Sequence, residues 1–163
     1  RFKCDWSSDV CSSDLEFGWT KNIRFDHDFI GRAALEREVA NPRRTIRTLV
    51  WNTEDVVDVY ASLFRKDVAP YAFMDIPMQQ RAMLVADKVL RDGVEVGVAT
   101  TRGYSFFFRE MISLCVIDLP HSAIGTPVTV VWGPPGGPQK HIRAQVAPAP
   151  YKSDNRRVDL RSL

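Results

Sequence analysis

Short β-type segments separated by turn residues dominate the second half of the sequence, and they restrict the possible folds more than any other feature. The stretch MLVADKVLRDGVEVGVAT, residues 83–100, reads as a hairpin, because Asp92-Gly93 suits a tight turn that needs positive φ angles. The segments MISLCVID, TPVTVVWG and QKHIRAQVAPAP follow, and the turns HSAIG and GPPGGP separate them. Several short strands with such punctuation predict a small barrel or a sandwich.

Two helical segments and one strand precede this β region. The stretch DFIGRAALEREVANP has Asp28 in the N-cap position, apolar residues at helical spacing and an end at Asn41-Pro42. RTIRTLVWN reads as a strand, and TEDVVDVYASLFR reads as a helix whose acidic first turn suits the helix dipole. Helical spacing predicts one apolar face on this second helix, formed by Val56, Val57, Tyr60, Leu63 and Phe64.

Composition excludes several classes of function. The 163 residues include 22 basic and 20 acidic side chains, which give a net charge of +2 without a basic cluster. Such a balance argues against nucleic acid and against an anionic membrane surface as partners. No apolar run approaches the roughly 20 residues that cross a bilayer, and the first residues lack a signal-peptide pattern. The sequence therefore predicts a soluble cytoplasmic protein.

The first 15 residues, RFKCDWSSDVCSSDL, differ from the rest of the chain. They contain two of the three cysteines and lack the apolar periodicity of a helix or a strand. The stretch Asp5 to Leu15 resembles the translation of a common sequencing-library adapter, and a natural disordered leader is the alternative. We expect residues 1–15 to contribute nothing to the fold, and the credible part of the chain to be a fragment that begins near Glu16.

Three consecutive aromatic residues interrupt the β pattern, at Phe106, Phe107 and Phe108. A strand with one exposed face alternates apolar and polar residues, and this run does not. We therefore expect the three rings to leave the sheet and to pack over another part of the protein, such as a second domain.

The segments DFIGRAALE, VLRDGVEVGVATTRGYS, AIGTPVTV and APAPYKSD resemble the carboxy-terminal part of the folate-dependent aminomethyltransferase family, founded by the glycine cleavage T protein. The resemblance covers residues 16–155. Where that family usually has Ser-Pro-x-Leu, this chain has Ser105 followed by the three phenylalanines, and it also inserts LVWNTEDVVDVYASLF. Both differences resemble the branch that contains the tetrahydrofolate-dependent vanillate and syringate O-demethylases.

The resemblance implies a mainly β fold with some α-helix: a small antiparallel β-barrel preceded by a helical segment from the folate-binding domain. It assigns residues 16–43 to the end of that domain, residues 44–150 to the barrel and residues 151–163 to a polar tail. In this family the barrel packs against the folate-binding body, which gives the three phenylalanines a partner.

The same resemblance implies two cofactor-binding residues for tetrahydrofolate and assigns no catalytic residue within this chain. Trp19 lies in a segment that borders the family's folate and substrate cavity, where an aromatic ring stacks on a planar group. Arg24 lies near the position of an arginine that contacts the acidic tail of folate. Some family members have a folate-contacting tyrosine near the end of the chain, where this sequence has Arg156.

Other polar residues carry weaker signals. Asp26, His27 and Asp28 superficially resemble a metal cluster, but no distant Cys or His set completes one, and the family needs no metal. Cys115 lies within an apolar strand and is expected to be a core residue. His121 and His141 fall at turn or strand edges and are expected at the surface.

Three functions remain open. The first is an aryl O-demethylase, in which a methyl group of a methoxylated aromatic acid moves to tetrahydrofolate. The second is the glycine-cleavage aminomethyltransferase, whose partner is a lipoyl carrier protein. The third is a non-catalytic barrel module, appended to an oxidoreductase of the sarcosine or dimethylglycine dehydrogenase type or to a folate-binding assembly factor. An upstream Gly-x-Gly-x-x-Gly unit would favour the module.

Overall fold

The computed structural model describes residues 23–78 and 86–152, and within these ranges the chain forms a β-barrel with two helices. The barrel has six strands, all paired antiparallel, in the closed order β1-β4-β3-β2-β5-β6. The elements in chain order are α1 Arg32–Ala40, β1 Arg44–Trp51, α2 Thr53–Ser62, β2 Asp87–Arg91, β3 Val94–Ser105, β4 Glu110–Asp118, β5 Pro127–Trp132 and β6 Lys140–Ala147. This architecture confirms the predicted small barrel and excludes the sandwich.

The turns form where the sequence predicts them. Asp92 and Gly93 have φ angles of 51° and 81°, and Arg91 pairs with Val94 across a two-residue hairpin. The GPPGGP turn joins β5 to β6, with Trp132 paired to Lys140. The HSAIG segment, residues 121–125, begins at the last residue of a short 3₁₀ turn, Leu119–His121, and leads into β5.

Alternating side chains from the six strands fill the barrel interior. Because every second residue of a strand points inward, each strand contributes a few apolar side chains to one common core. The fully buried members include Leu49, Val89, Cys115, Ile117, Val130, Ile142 and Val146. Burial of this kind is the main stabilising contribution to such a domain.

Helix α2 follows β1 directly and packs against β6 and β4. We call the end of the barrel beside this helix the α2 end; β1 and β5 end there, and β2, β4 and β6 begin there. The inward face of α2 is formed by Asp55, Val56, Val59 and Ser62. The predicted apolar face was therefore wrong in part: Val57 is 58% exposed, and Leu63 and Phe64 lie beyond the helix end and are exposed. Compared with the predicted face, the observed inward face of α2 is rotated about the helix axis so that it includes Asp55.

An ion-pair network joins α2 to β6. The carboxylate of Asp55 accepts hydrogen bonds from the backbone nitrogen of Arg143 at 2.9 Å and from its Nε at 2.8 Å, and Oδ1 accepts from Nη2 at 3.1 Å. Asn52 caps the helix by accepting from the backbone nitrogen of Asp55 at 3.0 Å. One turn later, Lys140 donates to Asp58 at 2.8 Å. The side chain of Asp55 thus binds β6 just beyond the point where the backbone pairing of β1 with β6 ends.

Helix α1 differs from the prediction at its amino-terminal end. The N-cap is Gly31, with a φ angle of 93°, and not Asp28. Asp28 instead accepts a hydrogen bond from Nη1 of Arg32 at 3.2 Å, because the chain turns at residues 30 and 31 before the helix begins. Within α1, which the structure describes completely, no side chain is fully buried. The assignment of residues 16–43 to a separate folate-binding domain stays a prediction.

Candidate functional site at the α2 end of the barrel

Only one of the two residues predicted to bind folate lies within the described residues. Trp19 lies outside the described residues, as does Arg156. Arg24 is described and lies exposed in the segment before α1. Their roles therefore remain predictions that rest on the resemblance.

A bulge in β3 places a different arginine at the α2 end. The register between β3 and β4 shifts between Thr100 and Gly103, so Thr101 and Arg102 have no partner in β4. Thr101 has a φ angle of 48°, which is uncommon for a β-branched residue. Bulges change the direction of side chains and occur frequently beside functional sites. Here the bulge turns Arg102 onto the ring of Trp132.

The surroundings of Arg102 are aromatic and largely buried. Its Cζ atom lies 4.3 Å from the ring centroid of Trp132, a cation–π geometry. The Trp132 ring meets Trp51 edge-on at 6.3 Å and donates from Nε1 to the carbonyl of Ala72 at 2.8 Å. The hydroxyl of Tyr60 donates to the carbonyl of Met74 at 2.6 Å. The neighbouring polar atoms are therefore already engaged with the backbone.

Arg102 and Asp87 influence each other without forming a close ion pair. Within residues 23–78 and 86–152, the buried Nε of Arg102 has no hydrogen-bond partner. Burial raises the pKa of Asp87 to about 6, although the positive charge of Arg102 opposes that shift. Burial likewise lowers the pKa of Arg102, while Asp87, Tyr60 and Asp75 act in the opposite direction. Perturbed ionisable groups of this kind are enriched at functional sites, although structural clusters also show them.

Sequence reasoning missed this cluster, although one signal was present. Gly103 lies inside a strand pattern, and a glycine in that position indicates a bulge or a close backbone approach. The bulge is what moves Arg102 from the strand ladder to the barrel end. Neither Trp132 nor Asp87 is near Arg102 in sequence, so their meeting depends on the closure of the barrel.

An open groove of about 700 Å³ follows the outer wall of the barrel across β1, β6, β5 and β2. Its lining includes Asn52, Arg91, Glu110, Thr129, Arg143 and Gln145, and neither Arg24 nor Arg102 contributes to it. The groove has a mixed, charged lining and no convergent set of catalytic side chains. It is a weaker candidate than the cluster around Arg102.

The three phenylalanines do leave the sheet, as predicted. They lie in the turn between β3 and β4, where Phe106 and Phe107 are 72% and 74% exposed. Phe108 is half-buried, and its ring lies 4.7 Å from that of Tyr151. The Tyr151 hydroxyl donates to Glu110 at 2.7 Å, which holds this ring pair against β4. Contact of the two exposed rings with a second domain stays a prediction.

We expect the double substitution Phe106→Ser and Phe107→Ser to reduce self-association of the chain without unfolding it. Two exposed aromatic rings promote association, and surface substitutions usually change stability by less than about 0.5 kcal/mol. Light scattering and urea denaturation test the two effects. The matched change Phe108→Ser is expected to cost about 1 kcal/mol, because it removes a packed aromatic pair. Unfolding of the double variant would show instead that the two rings belong to the core.

The other residues considered in the sequence as possible functional groups are described by their burial and contacts. Cys115 is fully buried, which confirms the predicted core position, and burial raises the pKa of its thiol to about 12. His141 is exposed, as predicted, and His121 is half-buried with Nδ1 at 3.3 Å from Nη1 of Arg91. His27 pairs with Asp26 at 2.8 Å, and the described residues contain no group of three side chains able to hold a metal ion. In the same ranges no helix is long and apolar enough to span a membrane.

The barrel and the segment before it are homologous to part of two enzymes that act on one-carbon groups. One is a sesamin methylene transferase from a Sinomonas species, 43% identical over 159 residues, which cover 91% of this chain and 35% of the enzyme. Another is a syringate O-demethylase from a Sphingobium species, 36% identical over 148 residues, which cover 85% of this chain and 32% of the enzyme. No protein-family model matches the chain.

These similarities confirm the resemblance to the O-demethylase branch that the motifs indicated. The chain spans about a third of the length of the curated relatives it matches.

Proposed function

We propose that this chain is part of a tetrahydrofolate-dependent one-carbon transferase that moves the methyl group of a methoxylated aromatic acid to the cofactor. The observation that carries the proposal is the similarity to two enzymes named for one-carbon chemistry, at 43% and 36% identity over most of the chain. Relationships at this level preserve the fold and commonly the class of reaction. The inserted segment LVWNTEDVVDVYASLF, which now accounts for the end of β1 and for α2, supports the same branch.

A methylene transfer is the second candidate. The relative named for methylene transfer is the more similar of the two, at 43% against 36% identity. The two candidates differ in the oxidation level of the carbon unit that reaches the cofactor, methyl in one case and methylene in the other. The folate product therefore distinguishes them directly.

The described residues include only one of the two side chains predicted to bind folate. Arg24 is exposed, and the groove on the outer wall contains no side chain predicted to bind the cofactor. Tetrahydrofolate would need an aromatic surface for its ring system and cations for its acidic tail. No step of the reaction is therefore assigned to residues of this chain. Trp19 and Arg24 stay proposals for the lining of a cavity completed by other parts of a larger protein.

The test uses the complete open reading frame that encodes this chain. The purified protein is supplied with tetrahydrofolate and, in separate reactions, syringate or vanillate, sesamin, or aminomethyl-loaded lipoyl carrier protein. Formation of 5-methyltetrahydrofolate from the methoxylated acids is the expected result, and reactions without protein or without cofactor are the controls. We expect the 163-residue chain alone to be inactive, because a partial site cannot hold reactants in a near-attack geometry.

Each other outcome points to a different function. Formation of 5,10-methylenetetrahydrofolate from sesamin would establish methylene transfer. Turnover only with the lipoyl carrier would assign the protein to the glycine-cleavage branch. Activity with none of the donors would contradict the proposal and favour the non-catalytic module.

A further inference from the structure

The connection between α2 and β2, described for residues 63–78, is fixed to the α2 end of the barrel. Met74 is fully buried and belongs to the core. The carbonyl of Met74 accepts the hydroxyl proton of Tyr60 at 2.6 Å, and the carbonyl of Ala72 accepts from Nε1 of Trp132 at 2.8 Å. Buried contacts and hydrogen bonds of this kind hold a connecting segment in one conformation.

The outward side of this connection is apolar. Phe73 lies between the two anchored residues and is 63% exposed, and Ile76, three residues further on, is 48% exposed. Exposed side chains contribute little to the stability of a domain, because their apolar area stays in water. The backbone that carries these two is nevertheless already ordered, which lowers the entropy cost of binding a partner.

The connection lies next to the turn that carries the three phenylalanines. The backbone nitrogen of Tyr104 donates to the carbonyl of Pro77 at 2.6 Å, and the Tyr104 ring meets that of Phe106 edge-on at 5.2 Å. The apolar α2-end surface is the name we give to the exposed side chains of Phe73, Ile76, Phe106 and Phe107. Clusters of exposed apolar side chains mark interaction sites.

Two cations flank Phe107 at the edge of this surface. Arg109 is exposed in the same turn, and Nζ of Lys152 lies 4.8 Å from the Phe107 ring centroid. Within residues 23–78 and 86–152, neither cation forms an ion pair. Two copies of the chain that met symmetrically through this surface would place like charges close together, which disfavours a second copy as the partner. Carboxylates on the partner would complement both cations.

We propose that the apolar α2-end surface binds the part of the larger protein that lies outside this chain, and that the partner surface is apolar with carboxylates facing Arg109 and Lys152. The matched segment covers 35% and 32% of the two relatives, so a protein of their size has enough chain elsewhere to cover this surface. The α2–β2 connection thereby gains a role as half of an interface, beside the phenylalanine turn. This inference rests on the part of the proposed function that places the chain in a larger protein.

The experiment measures how fast a maleimide reagent labels single introduced cysteines in the protein encoded by the complete open reading frame. Phe73→Cys and Phe106→Cys report on the two halves of the surface, and mass spectrometry of peptides separates each from the native thiols. Ile124→Cys is the matched control, because Ile124 is 66% exposed and lies before β5, at the opposite end of the barrel. Labelling in urea gives the rate of each thiol without structure.

We expect Phe73→Cys and Phe106→Cys to be labelled at least about tenfold more slowly than Ile124→Cys in the native complete protein, since a covered thiol reacts only when the interface opens. Reversal of both flanking charges, Arg109→Glu with Lys152→Glu, should raise the labelling rate at Phe106→Cys towards that of the control. The charge-conserving pair Arg109→Lys with Lys152→Arg should leave it slow.

Equal labelling rates at all three positions in the native protein would overturn the proposal. Slow labelling that is lost on dilution would also overturn it, because the surface would then be covered by a second copy. An unchanged slow rate after charge reversal would overturn the assignment of carboxylates to the partner surface. Should one cysteine variant fail to fold, the other decides the question.

Labelling needs neither tetrahydrofolate nor a donor, so this result is independent of the transferase assay. Protected thiols in a protein that transfers no carbon unit would support the interface and contradict the proposed function. Rapid labelling in an active transferase would contradict the interface alone.

Discussion

Replacement of Gly97 by alanine should destabilise the barrel by about 3 kcal/mol, at the upper end of the usual cost of overpacking. A Cβ atom at this position would lie 2.5 Å from the carbonyl oxygen of Val116 and 3.0 Å from the Cα of Ile117. Both are backbone atoms of β4, which also pairs with β1, so they cannot withdraw without disturbing two strand pairs. Urea denaturation followed by circular dichroism measures the loss.

Gly137 provides the matched control. A Cβ there would meet the Cγ of Pro134 at 3.5 Å, an ordinary van der Waals contact in the turn between β5 and β6. Gly137→Ala should therefore change stability by less than about 0.5 kcal/mol. Equal stability of the two variants would mean that β3 and β4 do not approach each other as the register of Gly97 with Ile117 requires.

The hairpin is the part of the fold that the sequence predicts best. Asp92 and Gly93 were assigned to a tight turn from residue type alone, and both have the positive φ angles that such a turn needs. Gly97 belongs to the same motif, but glycine is required there for a different reason. It has no positive φ angle, and its role is the close approach of β4, which depends on a strand about 20 residues away.

Helix α2 shows where sequence reasoning fails. Apolar spacing predicted a face that includes Val57 and Phe64, and both are exposed. The inward face contains Asp55 because its carboxylate finds Arg143, 88 residues further along the chain. A polar residue can face inward when a distant partner satisfies it, and helical periodicity carries no information about that partner.

The candidate site was predicted less well than the fold, for a related reason. Trp19 and Arg24 came from the resemblance and await a test, whereas the cluster that the structure brings together was not recognised in the sequence. Arg102 reaches Trp132 because β3 bulges and because β2 and β5 close the barrel beside it. Local sequence can indicate a bulge, but it cannot indicate which side chain will lie opposite it.

Asp55 is the side chain on which the attachment of α2 depends most. It is 9% exposed and accepts three hydrogen bonds from Arg143, one of them from the backbone nitrogen. A backbone hydrogen bond adds to this contact, since the nitrogen of Asn52 donates to the carbonyl of Arg143 at 2.8 Å. The helix is thus bound to β6 at the point where β1 leaves the barrel.

We expect Asp55→Ala to destabilise the chain by about 2 kcal/mol, because it removes three hydrogen bonds that a largely buried carboxylate makes, while the Arg143 side chain, 64% exposed, can turn to water. Glu54→Ala is the matched control, since Glu54 lies in the same helical turn, carries the same charge and is 88% exposed at 3.7 Å from Arg143. Its removal should cost less than about 0.5 kcal/mol. Urea denaturation at pH 7 compares the two variants.

The effect of Asp55 should also depend on pH. The hydrogen bond from the Arg143 side chain, more than any other contribution, holds the pKa of Asp55 below its usual value of 3.8, although burial opposes this. A carboxylate whose pKa is lowered on folding stabilises the protein fully above its unfolded pKa, about 3.9, and loses that contribution as the pH falls through its folded pKa. The stability difference between the unaltered chain and Asp55→Ala should therefore be constant between pH 5 and pH 7 and shrink below about pH 4. A difference that stays constant down to about pH 2.5 would show that the side chain stabilises the fold through packing and not through its charge.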